Sequence, residues 1–432
     1  MKLEELYSIY SAHPVVITDS RNAEKGAIFF ALKGEKYDGN VFARQALDKG
    51  CAYAVVSDPS LTDDDRFILV EDTLKTLQDL AGYHRQQLDI PVLAITGTNG
   101  KTTTKELIVA VLSKKFRVTG TQGNFNNHIG LPLTLLSADK TTEVLVTEMG
   151  ANHPGEIAFL CDLADPTHGL ITNIGKAHLE GFGSFENILR TKSELYDYLR
   201  KRGGVVFYNY DNDLLKERAG KVRSRVSYGT DEKADISFRP LKEGKMLTFV
   251  WKAPGGERVV RTHLYGGYNL ENAMAAVAVG VGFGVPPEDI VDAVSSYVPG
   301  NMRSQVIRTK RRNTVVLDAY NANPASMRSA IEEFVLLEGG KKAVILGDML
   351  ELGKYAEDEH EKILELLKEK GMEENVYLAG ENFFRLSGRY GYKGFEVTTA
   401  LKAFLEKNRL EGYTILVKGS RLMRLEELLD EL

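Results

Sequence analysis

The 432-residue chain is 43% hydrophobic and 27% charged, with a formal net charge of -5. That balance fits a soluble globular protein of two or three domains, and the lack of a basic surplus argues against a nucleic-acid partner. Two cysteines, Cys51 and Cys161, are too few for a disulfide framework or a four-cysteine metal site and read as thiols in a reducing cytosol.

In chain order, residues 1–90 read as a small α/β unit. The opening MKLEELYSIY carries acids and no apolar core, unlike a signal peptide. Strand-like runs stand at 27–32, 52–56 and 67–70, and 73–88 has helical apolar spacing through Leu74, Leu77, Leu80, Ala81 and Leu88. Pro91 then marks a boundary. Residues 91–300 open with VLAIT at 92–96, a glycine-rich turn and a helix from about Lys101, followed by buried-strand candidates at 144–149 and 169–174. From 204 to 265, short alternating runs (VVFYNY, ISFRPL, MLTFVW, VVRTHLY) predict hairpins at the domain edge, and helices over 269–281 and 287–297 complete the unit. The uncharged stretch 273–287 falls short of the ~20 residues a membrane span needs, so no membrane insertion is expected. Residues 301–432 alternate strands at 314–318, 343–348, 375–379 and 414–418 with helices, ending in a helix. Such alternation predicts parallel, doubly wound α/β sheets. Without a GxGxxG, a dinucleotide site has no support.

The strongest motif is GTNGKTTT at 97–104, directly after the strand 92–96. A strand, a tight glycine turn and a helix start aim backbone N–H groups at a phosphate. Lys101 would meet the terminal phosphates and the Thr102 hydroxyl would hold Mg²⁺. Ile95 stands where the usual motif has a further glycine, so the loop is a shortened GxxGKT. Glu148, ending the second strand, is placed as a Mg²⁺ partner or a solvated strand-end acid. His178 follows the strand at 169–174, at the edge where open α/β sheets bind ligands, although a lone histidine is more often structural. On spacing alone Lys192 is a solvated helix lysine.

Together these residues resemble the Mur ligase family. GTNGKTTT, Glu148, NIGKAHLEGFGS at 173–184, KSELY at 192–196 and YNLENA at 268–273 occur in the family's order, followed by Arg303 and Asp318. One departure is that Gly300 precedes Asn-Met, whereas the family often has arginine directly after this glycine. The resemblance implies an α/β fold of three domains. These are a small N-terminal α/β domain (1–90) for the UDP-linked precursor, a central P-loop ATPase domain with a parallel sheet (91–300), and a C-terminal Rossmann-like doubly wound domain (301–432) on the ATP and dipeptide side.

Further implied is an ATP-dependent ligase forming a C–N bond through an acyl phosphate. GNFNNHIGLPLTLL at 123–136, TEMGANHPGE at 147–156, DAYNANPASM at 318–327 and LGDMLELG at 346–353 resemble the branch that joins D-Ala-D-Ala to UDP-N-acetylmuramoyl-tripeptide, giving the pentapeptide of peptidoglycan synthesis. TDSR at 18–21 and KGEKYDG at 33–39 look like uridine-side segments. Implied nucleotide contacts are Gly97, Thr98, Asn99, Gly100, Lys101, Thr102, Thr103, Asn269, Asn272, Arg303 and Asp318. Implied substrate contacts are Ser20, Arg21, Asn126, Asn127, Tyr320, Asn321 and Asn323. Lys101, His178 and Lys192 would be catalytic. Thr102, Glu148, His178 and a carbamylated Lys192 would hold two Mg²⁺ ions. A cytoplasmic monomer is expected. The competing readings are a ligase adding a single amino acid, of another Mur type or folylpolyglutamate synthase-like, and a nucleotide-binding switch or inactive scaffold.

Overall fold

The computed structural model describes residues 2–34, 37–61, 63–175, 177–253, 255–337 and 340–432; Glu35, Lys36 and Lys176, from segments singled out above, lie outside these. Three sheets organise the chain. The first holds β1 (Val16–Ile17), β2 (Ile28–Phe30), β3 (Tyr53–Val56) and β4 (Phe67–Leu69) in that order, all parallel. The helix Thr73–Gln86 starts at Asp72, whose carboxylate accepts the Leu74 and Lys75 N–H groups, a cap that satisfies otherwise orphaned donors. Its buried face carries Leu77, Leu80 and Ala81, which share one apolar core with Leu131, Leu145 and Tyr196 of the following unit.

The central sheet has nine strands: β5 (Val92–Thr96), β6 (Val118–Gly120), β7 (Val144–Glu148), β8 (His168–Ile171), β9 (Val205–Asn209), β10 (Ser224–Gly229), β11 (Ile236–Leu241), β12 (Met246–Ala253) and β13 (Gly256–Tyr265). Their spatial order is β13-β12-β11-β10-β9-β8-β5-β7-β6. Pairing is parallel from β6 to β11 and antiparallel across β11, β12 and β13. The expected edge hairpins are present only in β11 to β13. The VVFYNY run is instead β9, parallel to β8. Its alternation arises because the strand is buried on both faces by unlike neighbours, and period alone does not separate that from a hairpin arm.

The third sheet orders β14 (Gln305–Arg308), β15 (Thr314–Asp318), β19 (Tyr413–Lys418), β16 (Lys341–Gly347), β17 (Val376–Ala379) and β18 (Lys393–Phe395), parallel except for β14. The short β14 and β18 were not legible in the sequence. The closing helix is of the 3₁₀ type and runs over Leu425–Glu431. In both larger sheets chain order reverses beside one strand, at β5 and between β15 and β19. Such reversal opens a crevice at the strands' carboxyl ends, and the two crevices face one another.

Candidate active site

The floor of the cleft is the turn between β5 and the helix Lys101–Leu112. Gly97 and Gly100 have φ of +141° and +78°, a region side chains rarely enter. A Cβ on Gly100 would lie 2.3 Å from Asn272 Oδ1. Gly100→Ala is therefore expected to lower the melting temperature by several degrees and weaken ATP binding at least about tenfold. Calorimetric titration of the variant with a non-hydrolysable ATP analogue checks this. Lys101, half-buried, donates to Gly97 O at 2.9 Å and Thr98 O at 3.2 Å. Burial lowers its pKa, with Arg303 adding to the effect and Glu148 opposing it.

Around this turn the sheet ends supply partners. Thr102 Oγ1 donates to Glu148 Oε2 at 2.8 Å, and Asn126 Nδ2 donates to Glu148 Oε1 at 2.7 Å. Glu148 is only 2% exposed. After β8, the Asn99 N–H donates to Asn173 Oδ1 at 2.9 Å and the Thr172 hydroxyl to Asn99 O at 2.7 Å. From the other side, the Thr104 hydroxyl donates to Asn272 Oδ1 at 2.9 Å, and Asn272 Nδ2 to Asn269 Oδ1 at 2.8 Å. The phosphate loop is thus held by amides on both flanks.

The third unit closes the cleft. Asn323 caps the helix Pro324–Val335 with Oδ1 while its Nδ2 donates to Asn99 Oδ1 at 2.7 Å, joining the two units. His178 Nδ1 meets Glu351 Oε2 across the same gap; this contact holds the Glu351 carboxyl below its ordinary range, burial opposing. The Arg303 guanidinium lies 4.0 Å over the Tyr320 ring. The ends of β15 and β19 are in register, pairing Asp318 with Lys418, whose ammonium and carboxylate form an ion pair. The cleft between the units measures about 800 Å³.

Most of the expected residues converge here: Thr98, Asn99, Gly100, Lys101, Thr102, Thr103, Asn126, Asn127, Glu148, His178, Asn269, Asn272, Arg303, Asp318, Tyr320, Asn321 and Asn323 all line the cleft. Asn127 Oδ1 is already engaged, accepting Ile129 and Gly130 N–H groups. Ser20 and Arg21 do not line it. They sit on a 3₁₀ turn beyond β1, with Arg21 paired to Asp19. Gly97 lies beneath the cleft, packed against Thr172.

Lys192 also stands behind the cleft wall, and the expectation from spacing that it is a solvated lysine is wrong. It is 2% exposed, on the helix Phe185–Arg202, with its ammonium 5.7 Å from the Phe182 ring centre. Burial, reinforced by Lys101 and opposed by Glu156 and Glu194, pushes its pKa down to about 7. Helical periodicity misses this burial because the helix is covered on two sides.

Lys418 escaped the sequence reading, whereas Thr172, Asn173 and Glu351 fall within segments it quotes without being singled out as site residues. For Lys418 a signal existed, since a charge ending an apolar run at a strand's carboxyl end stands where ligands bind. Among the described residues no cluster of three or more His, Cys, Asp or Glu side chains is arranged to hold a metal. Thr102 and Glu148 nevertheless present adjacent hard oxygen donors. That suits Mg²⁺, which keeps water and substrate phosphates in its shell and does not need an all-protein cage.

A phosphate loop under a second, Rossmann-like lobe, with amides and paired charges from both, defines an ATP-using α/β enzyme that works between domains. The chain belongs to the Mur ligase family. It matches the Mur ligase family catalytic domain over residues 15–85, the Mur ligase middle domain over 95–280 and the Mur ligase glutamate ligase domain over 302–421. It is 40% identical to the UDP-N-acetylmuramoyl-tripeptide–D-alanyl-D-alanine ligase of Bacillus subtilis (strain 168), over 96% of this chain and 92% of that protein. Identity to the Escherichia coli (strain K12) protein of the same name is 34%, over 96% and 93%. Among solved structures, MurF from Acinetobacter baumannii superposes with a TM-score of 0.84 at 31% identity, covering 98% of this chain and 97% of that one. MurF ligase from Thermotoga maritima in complex with ADP gives 0.82 at 28% identity, covering 97% of each.

Proposed function

We propose that this chain joins D-Ala-D-Ala to UDP-N-acetylmuramoyl-tripeptide at the expense of ATP. The observation that carries the reading is the end-to-end likeness to the ligases of that name, across all three units and both walls of the cleft. In the reaction a tripeptide carboxylate oxygen attacks the γ-phosphorus of ATP and ADP leaves. The dipeptide amine, neutral after losing a proton, then attacks the acyl carbon and phosphate leaves. Lys101 and the loop amides hold the phosphates and offset the charge that develops on them. Asn269 and Asn272 flank the nucleotide, with Arg303 and Asp318 contacting it from the far side. Asn126, Tyr320, Asn321 and Asn323 face the peptide substrates. Thr102 and Glu148 would hold one Mg²⁺, and His178 with a carbamylated Lys192 a second. Bound Mg²⁺ would neutralise phosphate oxygens.

The first unit would take the uridine end near Ser20 and Arg21, the second ATP, and the third the dipeptide. Ser20 and Arg21 stand at the carboxyl edge of the first parallel sheet, a position favourable to ligands. A monomer suffices, since every residue invoked comes from one chain, and substrates such as ATP and a UDP-linked precursor favour the cytoplasm. No described helix is long and apolar enough to cross a membrane.

The test is phosphate release with D-Ala-D-Ala, D-Ala, L-Ala, D-Glu and L-Lys offered side by side, omitting ATP and the tripeptide in turn. Of the five acceptors, only D-Ala-D-Ala is expected to support release, and only when ATP and the tripeptide are both present. Preference for a single amino acid would overturn the reading.

A further inference from the structure

The loop that carries Glu351 to His178 is conformationally improbable. Both residues sit at positive φ, +61° and +50°, and left-handed backbone in non-glycine residues persists only where surrounding structure over-determines it. On the Glu351 side two anchors stand out. The Leu350 N–H donates to Ser420 Oγ at 3.0 Å, and the Met349 N–H donates to His360 Nε2 at 3.0 Å. His360 is fully buried, lies edge-on to Phe383 at 4.6 Å, and its Nδ1 is 2.6 Å from Ala356 O. A carbonyl only accepts, so Nδ1 carries the proton and Nε2 is the bare acceptor. The neutral Nδ1–H ring is therefore the form that fits.

We propose that His360 is a positioning residue for ligation, clamping the 348–351 loop through Met349 so that Glu351 is presented to His178 and to the acceptor side of the cleft. This rests on the function proposed above, because the acceptor is the dipeptide. His360 does not line the cleft; it acts through the loop backbone. Ring protonation would turn Nε2 into a donor facing the Met349 N–H and break the clamp. The charged groups around the ring are Asp348, whose carboxylate is 3.6 Å from Nε2, and Glu359, which is tied to Lys362. Asp348 is itself engaged by Asn382 and Phe383 N–H groups. Burial lowers the His360 pKa, and the Ala356 bond and the two acids oppose that.

The experiment compares His360→Gln, whose side-chain oxygen can replace the Nε2 acceptor, with His360→Leu, which fills the space without one. Melting temperature, KM for ATP, KM for D-Ala-D-Ala and kcat are measured from pH 5.5 to 8. His360→Leu is expected to raise KM for the dipeptide or lower kcat about tenfold or more, with KM for ATP within twofold. His360→Gln should recover most of that and lose part of the wild-type decline at acid pH. Equal dipeptide kinetics in wild type and His360→Leu would overturn the proposal. So would equal impairment of both variants, or a His360→Leu defect shared by KM for ATP. A wild-type enzyme that ignores D-Ala-D-Ala would instead sink the proposed function.

Discussion

Replacing Lys101 by methionine should reduce turnover by about 10³-fold or more while shifting the melting temperature by only a few degrees. The fold tolerates the change because, among the described residues, the ammonium bonds only to two carbonyls of its own loop, and methionine keeps the stem that packs beside it. On the proposed mechanism, the chemistry does not tolerate it. The loop amides remain, but no other cation rises from the loop at the point where the terminal phosphates meet the helix N-terminus, and losing a preorganised charge there costs on the order of 10²–10⁵ in rate. Steady-state kinetics with a melting curve on the same sample decides the matter. Ligation within tenfold of wild type would remove the lysine from the mechanism.

How much of this arrangement was legible beforehand depended on whether the signal was local. GTNGKTTT carries its own geometry, because strand, glycine turn and helix start are consecutive, and the structure reproduces them at Val92–Thr96 and Lys101–Leu112. The apolar runs that became β5, β7, β15 and β19 were readable for the same reason. What could not be read was set by distant pairing. The strand β10 begins with exposed polar residues and is a strand because β9 and β11 flank it. Glu351 matters only because His178, 173 residues earlier, meets it across two domains. Lys418 becomes a site residue through its register with Asp318. Lys192 is the sharpest case, since its helix looks amphipathic and the lysine reads as solvated until both flanking layers are in place.

That burial underlies the second large effect. If Lys192 is carbamylated as proposed, removing CO₂ from buffer and protein should lower activity, and bicarbonate should restore it. A buried ammonium with no ion-pair partner among the described residues is an expensive arrangement. Its neighbours Glu156 and Glu194 oppose the shift without reversing it. With the pKa lowered by burial to about 7, the neutral amine is far more populated near neutral pH than in an ordinary lysine, and its share falls as the pH drops. The neutral amine adds to CO₂, forming a C–N bond and releasing a proton, and so replaces a buried cation with an anion that Lys101 attracts where it repelled the ammonium. CO₂ activation should therefore rise from pH 6 to 8. It should also weaken in the Lys101→Met protein, where losing a repelling charge lets the Lys192 pKa climb and leaves less neutral amine. The modification has a readout independent of turnover: ¹³C-bicarbonate should give a carbamate carbon resonance in wild type, absent in Lys192→Ala. The alanine variant should ligate about 10²-fold or more slowly, as expected when a charge at a phosphoryl-transfer site is lost. No carbamate signal at pH 8 in excess bicarbonate, or a Lys192→Ala enzyme at the normal rate, would leave Lys192 a buried structural lysine.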